Sequence, residues 1–326
     1  LGEYQVNGAP AFAGVTTRLL AACALSAQAA VFLLPGDACA QARLDPAANL
    51  QKRANGVLVL MGYTVVPNVT TGSLAIKDPG ALNPDLKMAS LGGGFTWEPT
   101  PLYFEGTASA TRYDPSFAVS GGPDASVSAK WKTTAATGGV GWDFPIAAEL
   151  KLRPIFNVSA GRLESDAGDI PGSETDKQLA FLRSGSLNVG GVGASLMLDY
   201  EHYRPEGEID AELRYTDMRL SSRSGTSEAV DGRVAARSLG LWTRYRAPTG
   251  LTAFDRPLRY VLEYAATRFL GDLDGAIGFN ALNSFGVGLE VDSSKYDAFV
   301  TRTRLVARYV VGNHVSGWSL GLGISF

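Results

Sequence analysis

Apolar and polar residues alternate along this chain with a period of two from about Leu86 to its end. Such alternation puts successive side chains on opposite faces of an extended strand. In the last segment Trp318, Leu320, Leu322, Ile324 and Phe326 share one face, and Ser319, Gly321, Gly323 and Ser325 the other. Ile209, Ala211, Leu213 and Tyr215 oppose Glu208, Asp210, Glu212 and Arg214 in the same way. Leu258, Tyr260, Leu262 and Tyr264 oppose Arg259, Val261 and Glu263, and Phe285, Val287, Leu289 and Val291 oppose Gly286, Gly288, Glu290 and Asp292. Strands are predicted near 71–76, 86–97, 102–113, 127–143, 150–162, 186–200, 208–220, 233–246, 258–270, 284–292, 299–311 and 317–326, about twelve in all.

The linkers between these strands alternate in length. Those near 98–101, 144–149, 201–207 and 293–298 are short, whereas 114–126, 163–185, 221–232 and 271–283 are long and rich in Gly, Ser and Asp. The linker 247–257 is longer than this rule expects and 312–316 is shorter. An even strand count with short turns at one end and long loops at the other is the pattern of a transmembrane barrel, with the short turns periplasmic. A soluble sandwich also alternates, but its polar face meets open water. Here that face combines glycine with charges of both signs, which suits a narrow lumen. Trp97, Tyr113, Trp142, Tyr245, Tyr309 and Trp318 fall near strand ends, as interfacial girdles require. The fold class expected is all-β, an antiparallel up-and-down transmembrane barrel over 71–326.

Two stretches precede that barrel. Residues 1–42 read as upstream sequence and a secretory signal: Arg18, an apolar run from Leu19 to about Leu34, then A-x-A-like sites around Ala38–Ala42. A buried N-terminal helix is the other reading of this run. Both cysteines, Cys23 and Cys39, lie within it, so cleavage after Ala40 or Ala42 leaves a mature chain that needs no disulfide. Residues 43–70 form a helical or linker segment. Asp45 is a suitable N-cap with Pro46 at the first helical position, giving a short helix to Ala54. Gly56–Val66 is apolar enough to continue that helix or to form a strand. A strand there would make the count odd, so the segment is placed outside the wall, threading the lumen.

Composition adds boundaries rather than chemistry. With 326 residues and a net charge of −3, the chain lacks the clustered basic face of a nucleic-acid-binding protein. No apolar run in its body approaches the roughly 20 residues of a spanning helix.

Specific stretches carry a family resemblance: PLYFEG (101–106) with RYDP (112–115), MLDYEHYRPEGEIDAELRYT (197–216), LWTRYRAPTG (241–250), RPLRYVLEY (256–264), GVGLEVDSS (286–294) and SLGLGISF (319–326). Through these the chain resembles the solitary outer-membrane autotransporter-like β-barrel family, from roughly residue 45 onward. The resemblance implies a twelve-stranded translocator-type barrel of the Gram-negative outer membrane with no long passenger domain ahead of it. It implies no assigned activity.

Three sets of residues carry candidate chemistry. Trp318, Leu320, Leu322, Ile324 and Phe326 resemble the C-terminal signal read by barrel-assembly machinery, and equally suit an ordinary lipid-facing closing strand. His314 and Ser316 have the spacing of a barrel lipase, with Glu290 or Asp292 to orient the imidazole. A plain turn explains them as well, so no catalytic residue is assigned. His202 lies far from His314, and no metal site or cofactor is expected. The third set faces the lumen: Glu105, Arg153, Asp210, Glu212, Arg214, Arg244, Arg259, Glu263, Glu290, Arg302, Arg304 and Arg308. Either these charges pair into a plug, as buried charges must, or they line a selective, porin-like path. The partners expected are outer-membrane lipids, the assembly machinery and periplasmic chaperones, with no nucleic acid and a monomeric state.

Overall fold

A computed structural model describes residues 50–65, 72–77, 85–114, 116–118, 126–167, 185–225, 232–293, 300–313 and 315–325, all within the compact unit Ala40–Phe326. Among the described residues one helix, α1 (Leu50–Val65), precedes twelve wall strands: β1 (Gly72–Lys77), β2 (Asp85–Trp97), β3 (Leu102–Asp114), β4 (Ser126–Trp142), β5 (Leu150–Ala167), β6 (Ser186–Arg204), β7 (Gly207–Gly225), β8 (Arg233–Ala253), β9 (Arg256–Gly271), β10 (Ala281–Asp292), β11 (Arg302–Gly312) and β12 (Val315–Ser325). Two short pieces, Ser116–Ala118 and Phe144–Ala147, pair on the edges of β4 and β5. Each wall strand pairs antiparallel with its sequence neighbours, and β1 pairs with β12 through Leu74 opposite Ser319 and Ala75 opposite Trp318. The ladder therefore closes on itself, which satisfies its backbone groups without leaving an edge to lipid.

Burial along the strands follows the two-residue period. On β12, Trp318, Leu320, Leu322 and Ile324 face outward and are exposed, whereas Gly317 and Gly321 are buried. On β10, Phe285, Val287 and Leu289 face outward and Glu290 is fully buried. A ring whose apolar face is outside and whose charged face is inside is the reverse of a water-soluble fold. No described helix is long and apolar enough to cross a membrane.

Three expectations are corrected. The linker 247–257 is not a loop: β8 runs to Ala253, with a register shift between Pro248 and Thr252, and a two-residue turn follows. Phe254 and Asp255 both have positive φ, 54° and 58°, as a turn of the hairpin-favouring primed type requires. Pro248 and Gly250 look like loop residues in sequence but sit where the ladder is already irregular. Tyr113 does not join the outer girdle. It falls on the inward parity of β3 and packs on Trp131, with ring centroids 6.1 Å apart. The helix expected to end near Ala54 instead runs on to Val65, the helical one of the two readings of Gly56–Val66; it is described from Leu50, so the expected start near Asp45 lies outside the described residues.

Helix α1 occupies the lumen. Leu58, Val59, Leu60, Met61, Tyr63, Thr64 and Val65 are each at most 6 % exposed. They form one apolar core with wall residues that include Trp131, Leu163, Leu187, Met218, Leu220 and Phe269. Burying each large aliphatic side chain this way is worth about 1.5–3 kcal/mol. Gly62 lets the helix approach the wall, since a Cβ there would stand 2.6 Å from Leu273 Cδ2 and 3.2 Å from Ala236 Cβ. Tyr63 donates its hydroxyl to the Leu273 carbonyl in the β9–β10 loop, and its ring packs on Phe279 at 5.7 Å. The helix end is tied lower down. Thr64 Oγ1 lies 2.8 Å from Thr133 Oγ1, Ser109 donates to the Thr64 carbonyl at 2.6 Å, and Thr137 donates to the Val65 carbonyl at 2.9 Å.

Candidate functional site in the lumen

The half of the lumen toward the short turns is spanned by a network of arginines and carboxylates. Glu208, at the start of β7, accepts from three arginines: Arg259 at 2.8 Å, Arg302 at 2.7 Å and Arg246 at 3.1 Å. Arg302 stands on β11, so this contact bridges the lumen rather than running along the wall. Arg246 also reaches Asp210 at 2.8 Å, and Arg259 reaches Asp292 at 3.2 Å. A second chain of contacts runs beside it. Arg244 and Arg308 share Glu263 at 2.9 and 2.6 Å, and Arg304 meets Glu290 at 3.1 Å. Charged groups taken out of water are tolerated when each has a partner, and planar guanidinium groups can serve two carboxylates at once.

A smaller cluster faces this network from β3 to β7. Arg214 grips Glu105 through two bonds of 2.6 and 2.8 Å, joining β7 to β3 across the interior. Asn157 and Tyr103 donate to the same carboxylate at 2.7 and 3.3 Å, and Ser195 accepts from Arg214 at 2.9 Å. Arg153 is held by Asp143 and by Asp199 at 2.9 Å, with its guanidinium 3.9 Å from the Tyr103 ring centroid.

Eleven of the twelve charges expected in the lumen thus stand in ion pairs. Glu212 is the exception among the described residues. It lines a cavity of about 140 Å³ between helix and network, together with Tyr63, Arg214, Thr216 and Trp242. Sequence reasoning missed Arg246, Glu208, Asp143, Asp199 and Asp292 as members of the network. Glu208, Arg246 and Asp292 lie on the inward parity of their strands, and that signal could have found all three. Asp143 sits beyond a strand end, where periodicity gives no guide.

Ser316, proposed with His314 as a hydrolytic pair, lies on the outward parity of β12 opposite Val311. His314 lies outside the described residues. Glu290 cannot serve that pair, because it is opposite Arg304, seven residues along β11 from Val311 and roughly 23 Å away along the strand. Asp292 is farther still. Of the terminal strand, Phe326 lies outside the described residues. No group of acids, histidines and cysteines able to hold a metal occurs among the described ones.

Outside the wall-spanning stretches, the β4–β5 turn carries Glu149, whose carboxylate lies 2.7 Å from His202 Nδ1 and 2.8 Å from Arg204 Nη2. The hydrogen bond from His202, with the nearby Arg204 charge, holds the Glu149 carboxyl below the ordinary glutamate range despite a small opposing effect of burial.

Comparison with known proteins completes the picture. A family model described as the autotransporter β-domain matches residues 69–242, more than half of the chain. No curated relative matches it by sequence. In structure it is similar to the β domain of the Bordetella autotransporter BrkA, at 13 % identity over 79 % of this chain and 100 % of that one, with a TM-score of 0.45. It is similar to the translocator domain of the autotransporter NalP from Neisseria meningitidis, at 12 % identity over 84 % and 95 %, with a TM-score of 0.43. For the transport unit of the autotransporter AIDA-I from Escherichia coli the values are 11 % identity, 84 %, 99 % and 0.46. With its closed twelve-stranded wall, outward apolar face and family match, the chain belongs to the autotransporter β-domain family and resides in the bacterial outer membrane.

Proposed function

We propose that this protein is a non-enzymatic outer-membrane barrel, sealed at rest, with a structural and surface-exposed role rather than that of a steady channel. The observation that carries this reading is a double obstruction of the lumen. Leu58–Val65 fill the half toward the long loops, and arginine–carboxylate pairs cross the half toward the short turns. In a conducting lumen such charges would be hydrated and held apart, because an ion must displace them from their partners to pass. The barrel works as a monomer in contact with outer-membrane lipids, after delivery by periplasmic chaperones and the assembly machinery, and uses no cofactor. Planar-bilayer recording of the refolded full chain tests the reading. No steady conductance is expected; a stable open level from the wild-type chain overturns it.

One observation favours a second reading, in which the barrel translocates a passenger. The buried stretch LVLMGYTV of α1 bears no charge and is held by apolar contacts and hydroxyl groups alone. Such a contact is separable without breaking an ion pair. Cross-linking Thr64→Cys to Thr133→Cys, whose native hydroxyl oxygens lie 2.8 Å apart, read against an uncrosslinked control, would distinguish a helix that stays from one that leaves during export.

A further inference from the structure

Among the described residues, every inward charge of the wall but one stands in an ion pair. The exception is Glu212 on β7, opposite Asp199 on β6 and Trp242 on β8. Asp199 brings it a like charge rather than a partner. The guanidinium groups around it are committed elsewhere. Arg214, two residues along β7, grips Glu105 by bonds of 2.6 and 2.8 Å. Arg244, two residues along β8 from Trp242, serves Glu263 at 2.9 Å, and Arg153 serves Asp143 and Asp199. Glu212 makes no hydrogen bond among the described residues, yet it stands inside the barrel, where leaving a carboxylate without a partner is costly.

This carboxylate borders the cavity of about 140 Å³ between α1 and the network. The wall behind the cavity is built in tiers. Trp242 stands beside Glu212, Gly240 beside Thr267 in the next tier, and Ser238 in the one after. Gly240 makes a recess there, since a Cβ at its position would meet nothing nearer than the Arg214 carbonyl at 4.0 Å. Ser238 is only 4 % exposed. Its hydroxyl and that of Thr267 border the cavity, and neither makes a hydrogen bond among the described residues.

These groups specify an occupant. One carboxylate and two hydroxyls without partners are acceptors around a single negative charge, and a primary ammonium carries one positive charge and three N–H donors. The rest of the lining, with Met88, Phe269 and Leu282, is apolar and suits an alkyl body. A bare alkali ion would leave that surface without a contact. The described residues hold no set of acids, histidines and cysteines fit for a divalent metal. The volume is close to the roughly 150 Å³ that admits a ring of about six carbons in an apolar protein cavity.

We propose that this cavity binds a small primary ammonium ion of roughly five or six heavy atoms, its charge on Glu212 and its alkyl part against Met88, Phe269 and Leu282. Helix α1 borders the same cavity through Tyr63 and Thr64. A bound ion is therefore enclosed as the helix seats, and its release requires that end of the helix to move.

To test this, the full chain is refolded in detergent with n-butylammonium chloride present, so that entry past the helix is not limiting. Affinity is read from the dependence of the urea midpoint on ligand concentration. Sodium chloride and neutral butan-1-ol are run in parallel. The wild-type midpoint should climb with the logarithm of the butylammonium concentration and with neither control. Glu212→Gln should bind roughly 10- to 100-fold more weakly, the range for a hydrogen bond to a charged group. Gly240→Val keeps the carboxylate but fills the recess, and should bind roughly tenfold more weakly. Glu149→Gln, at the periplasmic turn, should bind as wild type. Heat-modifiable migration on gels confirms that each variant is folded; should Glu212→Gln not fold, Gly240→Val carries the comparison. A wild-type midpoint indifferent to butylammonium overturns the proposal, as does equal affinity of the folded variants and wild type. An equal response to sodium, marking a bare-ion site, or to butan-1-ol, marking a plain apolar void, overturns it too.

Discussion

Arg302 and Glu208 meet across the lumen, Nη1 to Oε2 at 2.7 Å, and tie β11 to β7 although four wall steps separate those strands. A wall held only by its ladder would be free to ovalise. This contact and that of Arg214 with Glu105 act as struts across the interior.

The first prediction concerns the hub of these struts. Glu208→Gln leaves Arg246, Arg259 and Arg302 to share the remaining carboxylates, and removing one partner of a buried pair costs roughly 3–5 kcal/mol. Glu212→Gln, four residues along the same strand, removes a carboxylate that has no ion pair among the described residues and should cost far less. Urea unfolding of both variants in lipid vesicles measures the difference, and equal loss in the two would mean that the network adds nothing.

Legibility in the sequence divides along the same line. The wall could be read because its information is local: Leu258 to Tyr264 announces a strand, and its inward parity, from residues that are neighbours in the chain. The end of β8 could not, because Pro248 and Gly250 carry loop chemistry inside a bulged ladder. Tyr113 was misplaced because nearness to a strand end does not say which face a ring takes. For the lumen, parity located the charges but could not assign partners. Glu105 and Arg214 lie 109 residues apart, and Arg302 and Glu208 lie 94 apart. The closure of the ring alone brings them together. The helix was recognisable as a segment foreign to the wall, but its seat against Leu273 and Phe279 depends on how a loop folds inward.

Gly62 gives the second prediction. Valine there would place its Cβ 2.6 Å from Leu273 Cδ2, and overpacking of this kind costs about 1–3 kcal/mol. The helix should loosen before the wall does. Hydrogen exchange of the α1 amides should then be faster in Gly62→Val than in the wild-type chain, with unfolding of the barrel little changed. Unchanged exchange would mean that the helix tolerates the added methyl groups and that this contact is not what seats it.

At the periplasmic turn, Glu149 predicts a pH dependence. Its carboxyl is held below its ordinary value of 4.5 by the hydrogen bond from His202 and the Arg204 charge. A carboxylate with a depressed folded value contributes stability that is complete above the unfolded value and lost as pH falls through the folded one. Wild type should therefore exceed Glu149→Gln in stability at neutral pH, and the gap should close through the carboxylate range. A gap that persists in acid would locate the effect in packing rather than charge.

Adjacent residues on β12 should respond to substitution in opposite ways, because they face different media. Leu320 points into lipid, and Leu320→Arg should cost roughly 2–4 kcal/mol near the middle of the membrane. Gly321 points into the lumen, where the Arg308 guanidinium occupies the space a Cβ would need. Gly321→Ala should therefore push Arg308 away from Glu263, now 2.6 Å from it. If that is how the glycine acts, Gly321→Ala should cost much less in a background where Glu263 and Arg308 are already Gln and Met, whereas Leu320→Arg should cost the same in both. A double-mutant cycle on unfolding free energies reads this directly. Additivity at Gly321 would show that the glycine serves the backbone of the closing strand and not the ion pair beneath it.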